Sequence, residues 1–212
     1  MISFAPSSLC GIFGSGLVPL AGLVRVRNMA KIRPPLPVKL FIGLLSSDRD
    51  LLDRCAALLQ DRFGPLDFRS PAAPWDHTDH YARELGDGLL RTFLFFDNLI
   101  DPGDLPEIKH FTNSIENRRS TSADGSARRL VNIDPGYLTE ARVVLASAKD
   151  YAHRVYIGNN IYAEATLLFR DGSFRVRDHT YPDFRADEVI KMFNSLREVL
   201  RKQLQQQGAS RL

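Results

Sequence analysis

The chain has 212 residues, of which 44% are hydrophobic and 25% charged. That balance supports a packed core, excludes disorder as the main state, and leaves no run of about 18 apolar residues to span a membrane. The formal charge of +3 invites a nucleic-acid reading, but Arg25, Arg27, Lys31 and Arg33 account for it in a stretch without acids. Of the 28 basic residues, the remaining 24 face 25 acidic ones. The body is near neutral, so no nucleic-acid partner is expected.

Residues 1–33 are expected to form an N-terminal extension without fixed structure. Leu9 to Val24 is apolar and Gly-bearing, but its arginines follow it, the wrong order for a secretory signal. Met29 reads as a second plausible start. The only two cysteines, Cys10 and Cys55, make no framework, and a reducing, cytoplasmic setting fits them.

Val38 to Leu45 is an apolar run of strand length. Ser46-Ser47-Asp48 reads as a hydroxyl cap for a helix whose Leu51, Leu52, Cys55, Leu58, Leu59 and Phe63 share one face. Gly64-Pro65 ends it. Leu66 to Arg69 and Leu89 to Phe96 read as strands, separated by a polar loop from Ser70 to Tyr81. Pro106 opens a helix through about Arg118. The polar linker Ser120 to Arg129 then divides the chain.

The second half reads as the same order again. Leu130 to Ile133 is taken as a strand, and Tyr137 to Ala148 as a helix with Leu138, Ala141, Val144, Leu145 and Ala148 inward. His153 to Ile157 and Ile161 to Arg170 are strands, joined by Gly158-Asn159-Asn160 as a tight turn. Asp171-Gly172 signals a hairpin. The last helix runs from about Phe184 to Gln205. The expected fold is α+β: a single domain over 34–212 built from two β-α-β-β-α, ferredoxin-like halves, about 38–119 and 129–205. The sheet is expected to be largely antiparallel, with helices packed on one side.

The strings PVKLFIGLL, FGPLDF, WDHTDHY, LPEIKHFTN, VNIDPGYLT, AKDYAHRVYIGNNIYAEATL and TYPDFR resemble the bacterial domain-of-unknown-function family numbered 4416. The resemblance covers about Pro37 to Leu204 and implies a bacterial source. That family carries no established activity, so no reaction follows from it. Some of its members carry a GTP-binding label. This chain has neither G-x-x-x-x-G-K-[ST] nor N-K-x-D, so the usual phosphate cradle and guanine reader are both missing.

Three polar blocks could carry chemistry. In Trp75 to Tyr81, His77 and Asp79 are first choices as ligands of a divalent metal, with His80 weaker; the same residues also suit turn capping. In Asn132 to Tyr137, Asn132 and Asp134 share a strand face, Gly136 permits close approach, and a following helix would offer free N–H groups to an anion. The alternative is an ordinary capped helix start. In Lys149 to Tyr156, Lys149 and Arg154 suit a phosphate or carboxylate, and His153 suits proton transfer. Strand alternation sets His153 opposite Arg154 and Tyr156. A buried Glu164 needs Arg154 or Lys149 as its partner. Asp178-His179-Thr180 echoes Asp76-His77-Thr78, but the spacing is wrong for a two-histidine phosphoesterase, and His179 reads as incidental.

Three functions follow as expectations. One is binding of a small anionic ligand such as a nucleotide or organic phosphate, by Asn132, Tyr137, Lys149, Arg154 and Tyr156. Another is a metal-dependent hydrolase with His77, Asp134, His153 and Glu164 as catalytic candidates. The last is a non-catalytic binding or scaffold module. Oligomeric state stays open at this level.

Overall fold

A computed structural model describes residues 32–75, 85–118, 120–122 and 127–208, and the unit described is Pro35–Leu212. Strand β1 (Val38–Ser46) is buried along its whole length and lies inside a nine-stranded sheet. It pairs with β4 (Leu90–Ile100) on one side and β7 (Asn132–Leu138) on the other. Beyond β4 lie β2 (Leu66–Arg69) and the two-residue β3 (Ala73–Pro74). Beyond β7 lie β8 (Arg142–Ser147) and β10 (Ile161–Arg170), the latter flanked by β9 (Val155–Gly158) and β11 (Ser173–Val176). Among the described residues every strand pairing is antiparallel. The expected linker is a separate ribbon, β5 (Ser120–Ser122) against β6 (Ala127–Arg129).

The apolar runs of β1 and β4 do not alternate with polar residues because both faces of the sheet are covered. Leu40, Ile42, Leu44, Leu94 and Phe96 face helices α1 (Arg49–Phe63) and α2 (Leu105–Arg118). Phe41, Phe93 and Phe95 face helix α3 (Asp187–Gln206), where Phe184 and Phe193 complete an aromatic cluster. Each such ring contributes about 1.5–3 kcal/mol by burial. Helices therefore lie on both faces, not on one as the sequence led us to expect.

Helix α1 is capped by the Asp48 carboxylate, which accepts from Leu51 N at 3.0 Å, rather than by a hydroxyl. Ser46 is occupied: its Oγ donates to the Leu130 carbonyl at 2.7 Å and accepts from Asp48 N. Gly64, at φ 99°, ends the helix as anticipated. Leu58, assigned to the buried face, is 37% exposed, and Ala56 takes the inward position.

The largest correction concerns Tyr137 to Ala148, which is no helix but the hairpin β7–β8. Thr139 makes the corner, its Oγ1 accepting from Ala141 N and Arg142 N. Val143 and Leu145 face the α3 side, while Val144 and Ala146 pack with Leu105 and Ile161. A strand buried on both faces presents an apolar run that also matches helical spacing. The β-α-β-β-α order is thus met in the first half only, apart from the added β3. The second half runs through five strands before α3, and one sheet crosses both halves, so two ferredoxin-like units are not what this sequence builds. The final helix also starts late: Pro182–Arg185 is a 3-10 turn, docked by Arg185 Nε on the Thr180 carbonyl. The expected β9–β10 turn and the Asp171-Gly172 hairpin are both present, with positive φ at Gly158, Asn159, Asn160, Asp171 and Gly172.

Candidate functional site

Antiparallel pairing brings the C-terminal ends of β1 and β8 to the same end of the sheet as the N-terminal ends of β4 and β7. A cavity of about 380 Å³ opens there, walled by α2 and by the segment Tyr181 to Phe184. Among the described residues its large apolar lining side chains are Leu45, Trp75, Leu145 and Phe184. Its charged lining falls into two centres.

The first centre is Asp134. Its carboxylate meets Arg91 Nη1 at 3.4 Å and Lys109 Nζ at 3.6 Å, and accepts from the Asn132 amide. Arg91 reaches it by crossing β1 over Gly43, which pairs with Asp134 on one side and Phe93 on the other. A Cβ at Gly43 would stand 2.7 Å from Arg91 Nη2, so the guanidinium needs the missing side chain. The same guanidinium holds Asp183 through Nε at 3.1 Å and lies over the Phe93 ring. Burial would raise the Asp134 pKa, but Lys109 and Arg91 outweigh it, and the carboxyl sits below its ordinary range. Beside it, Glu116 accepts from Ile133 N at 2.6 Å and pairs with Arg129 at 3.0 Å. For Glu116 burial wins over Lys109, and its pKa is pushed up.

The second centre is Glu164, only 1% exposed at its side chain. Its Oε2 takes Arg154 Nε at 2.8 Å and His153 Nε2 at 3.0 Å, while Thr166 Oγ1 donates to Oε1. Arg154 also donates to the Lys149 carbonyl at 2.9 Å and the Tyr181 hydroxyl at 2.6 Å. Burial pushes the Tyr181 pKa up, and the negative charge of Glu164 adds to the shift. His153 stacks on His179 with ring centres 4.1 Å apart, and His179 Nε2 contacts the Ala165 carbonyl. His179 is therefore part of this centre and not incidental. His153 and Arg154 reach one carboxylate because β9 begins only at Val155, so strand alternation does not separate them.

The structure thus brings Asn132, Asp134, Lys149, Arg154 and Glu164 to one cavity, with His153 packed behind Glu164. Tyr137 packs instead with Leu105, Val144 and Ile161, and Tyr156 is 56% exposed with its ring on Tyr162. Neither lines the cavity. No helix follows Gly136, so the expected N–H anion site does not form there; a Cβ on Gly136 would strike Val144 O and Phe41. His77, Asp79 and His80 lie outside the described residues. Among the described residues, no group of three or more His, Cys, Asp and Glu is placed to hold a metal ion. Sequence reasoning missed Arg91, Lys109, Glu116, Arg129, Tyr181 and Asp183. A signal existed for part of this set: Lys109, Asn113 and Glu116 recur at i, i+4 and i+7 beside the apolar stripe of α2.

The model of the family described as Domain of unknown function (DUF4416) matches residues 36–200, and the chain belongs to that family. No curated protein and no solved structure matches it. No helix among the described residues is long and apolar enough to cross a membrane.

Proposed function

We propose that this protein binds a small anionic ligand, such as a nucleotide or organic phosphate, in the cavity at the end of the sheet. The observation that carries this reading is the convergence of Arg91, Lys109, Arg129, Lys149 and Arg154 on one concave site whose described lining also holds four carboxylates. The cavity volume falls within the range of small-molecule sites. Arg154 is held rigid by Glu164 and Tyr181, so its guanidinium is pre-organised for a planar or tetrahedral anion. A reducing, cytoplasmic setting is part of this proposal, since two cysteines in 212 residues make no disulfide framework.

Thermal unfolding in the presence of nucleotides and organic phosphates tests the reading. A ligand at a hundred times its Kd should stabilise the fold by about 2.7 kcal/mol, raising Tm by roughly 5–10 °C for a domain of this size. Arg154→Gln, shown to be folded by circular dichroism, should lose that rise. An unmoved midpoint across the whole panel removes the proposal.

A further inference from the structure

The cavity's charges are not spread evenly, and their arrangement specifies what kind of anion it can accept. Among the described residues, four of its five cations are already matched by carboxylates lining the same cavity. Arg91 has Asp134 and Asp183, Lys109 has Asp134, Arg129 has Glu116, and Arg154 has Glu164, at 2.8–3.6 Å. Lys149, just past the end of β8, is exposed and makes no ion pair among the described residues. Among the described residues the wall is therefore balanced inside and carries one excess positive charge, on exposed Lys149.

A balanced wall of fixed charges is a good solvent for neutral hydrogen-bonding groups and a poor one for further net charge, because an uncompensated charge taken from water is costly. Asn113, Asn132 and Ser147 add neutral donors and acceptors to it. Arg154 commits Nε, one Nη1 and one Nη2 proton to Glu164, the Lys149 carbonyl and Tyr181. A guanidinium has five such protons, so it keeps donors to spare without contributing surplus charge. A polyphosphate would bring several negative charges against a described lining with one unmatched lysine.

Resting on the anion-site reading above, we infer that the ligand has one anionic group, held at the mouth by Lys149, and a neutral polar body inside. Its class is a nucleoside or sugar carrying a single phosphoryl group.

The chain's single tryptophan, Trp75, lines the cavity and reports binding by fluorescence. The full chain is titrated in divalent-free buffer with inorganic phosphate, ribose 5-phosphate, glucose 6-phosphate, the common nucleoside 5′-monophosphates, their triphosphates and the unphosphorylated bodies, with Tm as a second signal. At least one monophosphate ester should bind tenfold or more tighter than inorganic phosphate, and tenfold or more tighter than any triphosphate. The sugar and nucleoside arms then identify the body. Lys149→Ala should weaken that ester about tenfold and leave its unphosphorylated body unaffected. A triphosphate or inorganic phosphate bound as tightly as the best ester overturns the inference. So does a Lys149→Ala loss equal for phosphorylated and unphosphorylated forms. Either result leaves the anion site standing. Silence from every anion in the panel overturns both.

Discussion

Asp134 and Glu164 are two carboxylates on one cavity wall, yet they are held in opposite ways. Asp134 is one-quarter exposed and shares its charge among Lys109, Arg91 and Asn132, each of which has another partner. Glu164 is sealed, and Arg154 Nε and His153 converge on a single oxygen. A distributed centre tolerates the loss of one member because the others re-pair. A sealed centre does not, because losing the carboxylate strands a guanidinium that water barely reaches.

The comparison breaks most visibly at Glu164. Glu164→Gln should destabilise the fold by about 3–5 kcal/mol, seen as a fall in urea midpoint at unchanged m-value. A loss near zero would show that the sealed centre is not a stability element.

Gly43→Ala should come next, at about 1–3 kcal/mol, because the new Cβ must displace the Arg91 guanidinium. Chemical denaturation gives the cost. A ligand titration should show weakened binding, separating a moved guanidinium from a general loss of packing.

Asp134→Asn should cost less than Glu164→Gln, about 1–2 kcal/mol at neutral pH, since Arg91 keeps Asp183 and Lys109 keeps the Ile133 carbonyl. Its pH dependence has a definite sign. The Asp134 pKa is lowered on folding, so its contribution is complete above the ordinary value of 3.8 and disappears as pH falls through the depressed folded value. The gap between parent and variant, measured by urea unfolding at a series of pH values, should therefore narrow only under acid conditions. A gap independent of pH would show that charge is not what Asp134 contributes.

Glu116→Gln should have the smallest effect, within about 1 kcal/mol, because Gln can still accept from Ile133 N. Here the sign is reversed. A raised folded pKa means the Glu116 contribution weakens as pH climbs from 4.5 through that raised value, so the parent should lose ground to the variant over that window. Paired unfolding curves at pH 4 and pH 7 check it.

Much of the frame was legible. The stop of α1 at Gly64, the whole of β10 and the Asp171-Gly172 hairpin follow from local turn chemistry, which tertiary contacts did not override, whereas the expected hydroxyl cap of α1 gave way to Asp48 because Ser46 is held by Leu130. The β7–β8 hairpin was not legible, because burial on both faces erases the alternation that marks a strand. At the site, Asn132, Asp134, Arg154 and Glu164 stood out as polar groups in apolar settings. Arg91 and Asp183 did not, because their meaning depends on a partner across Gly43 or from a segment nearly a hundred residues away.

The central position of β1 has a consequence for how the protein is made. Gly43 must wait for Asp134, ninety-one residues later, before its second edge is sealed. At ribosomal speeds of about 5–20 residues per second, that leaves an apolar strand with one open edge for roughly 5–20 s. Substitutions that slow docking of β7 should therefore be felt first in the cell, as nascent chains captured by chaperones or lost to inclusion bodies, before they register in the purified fold.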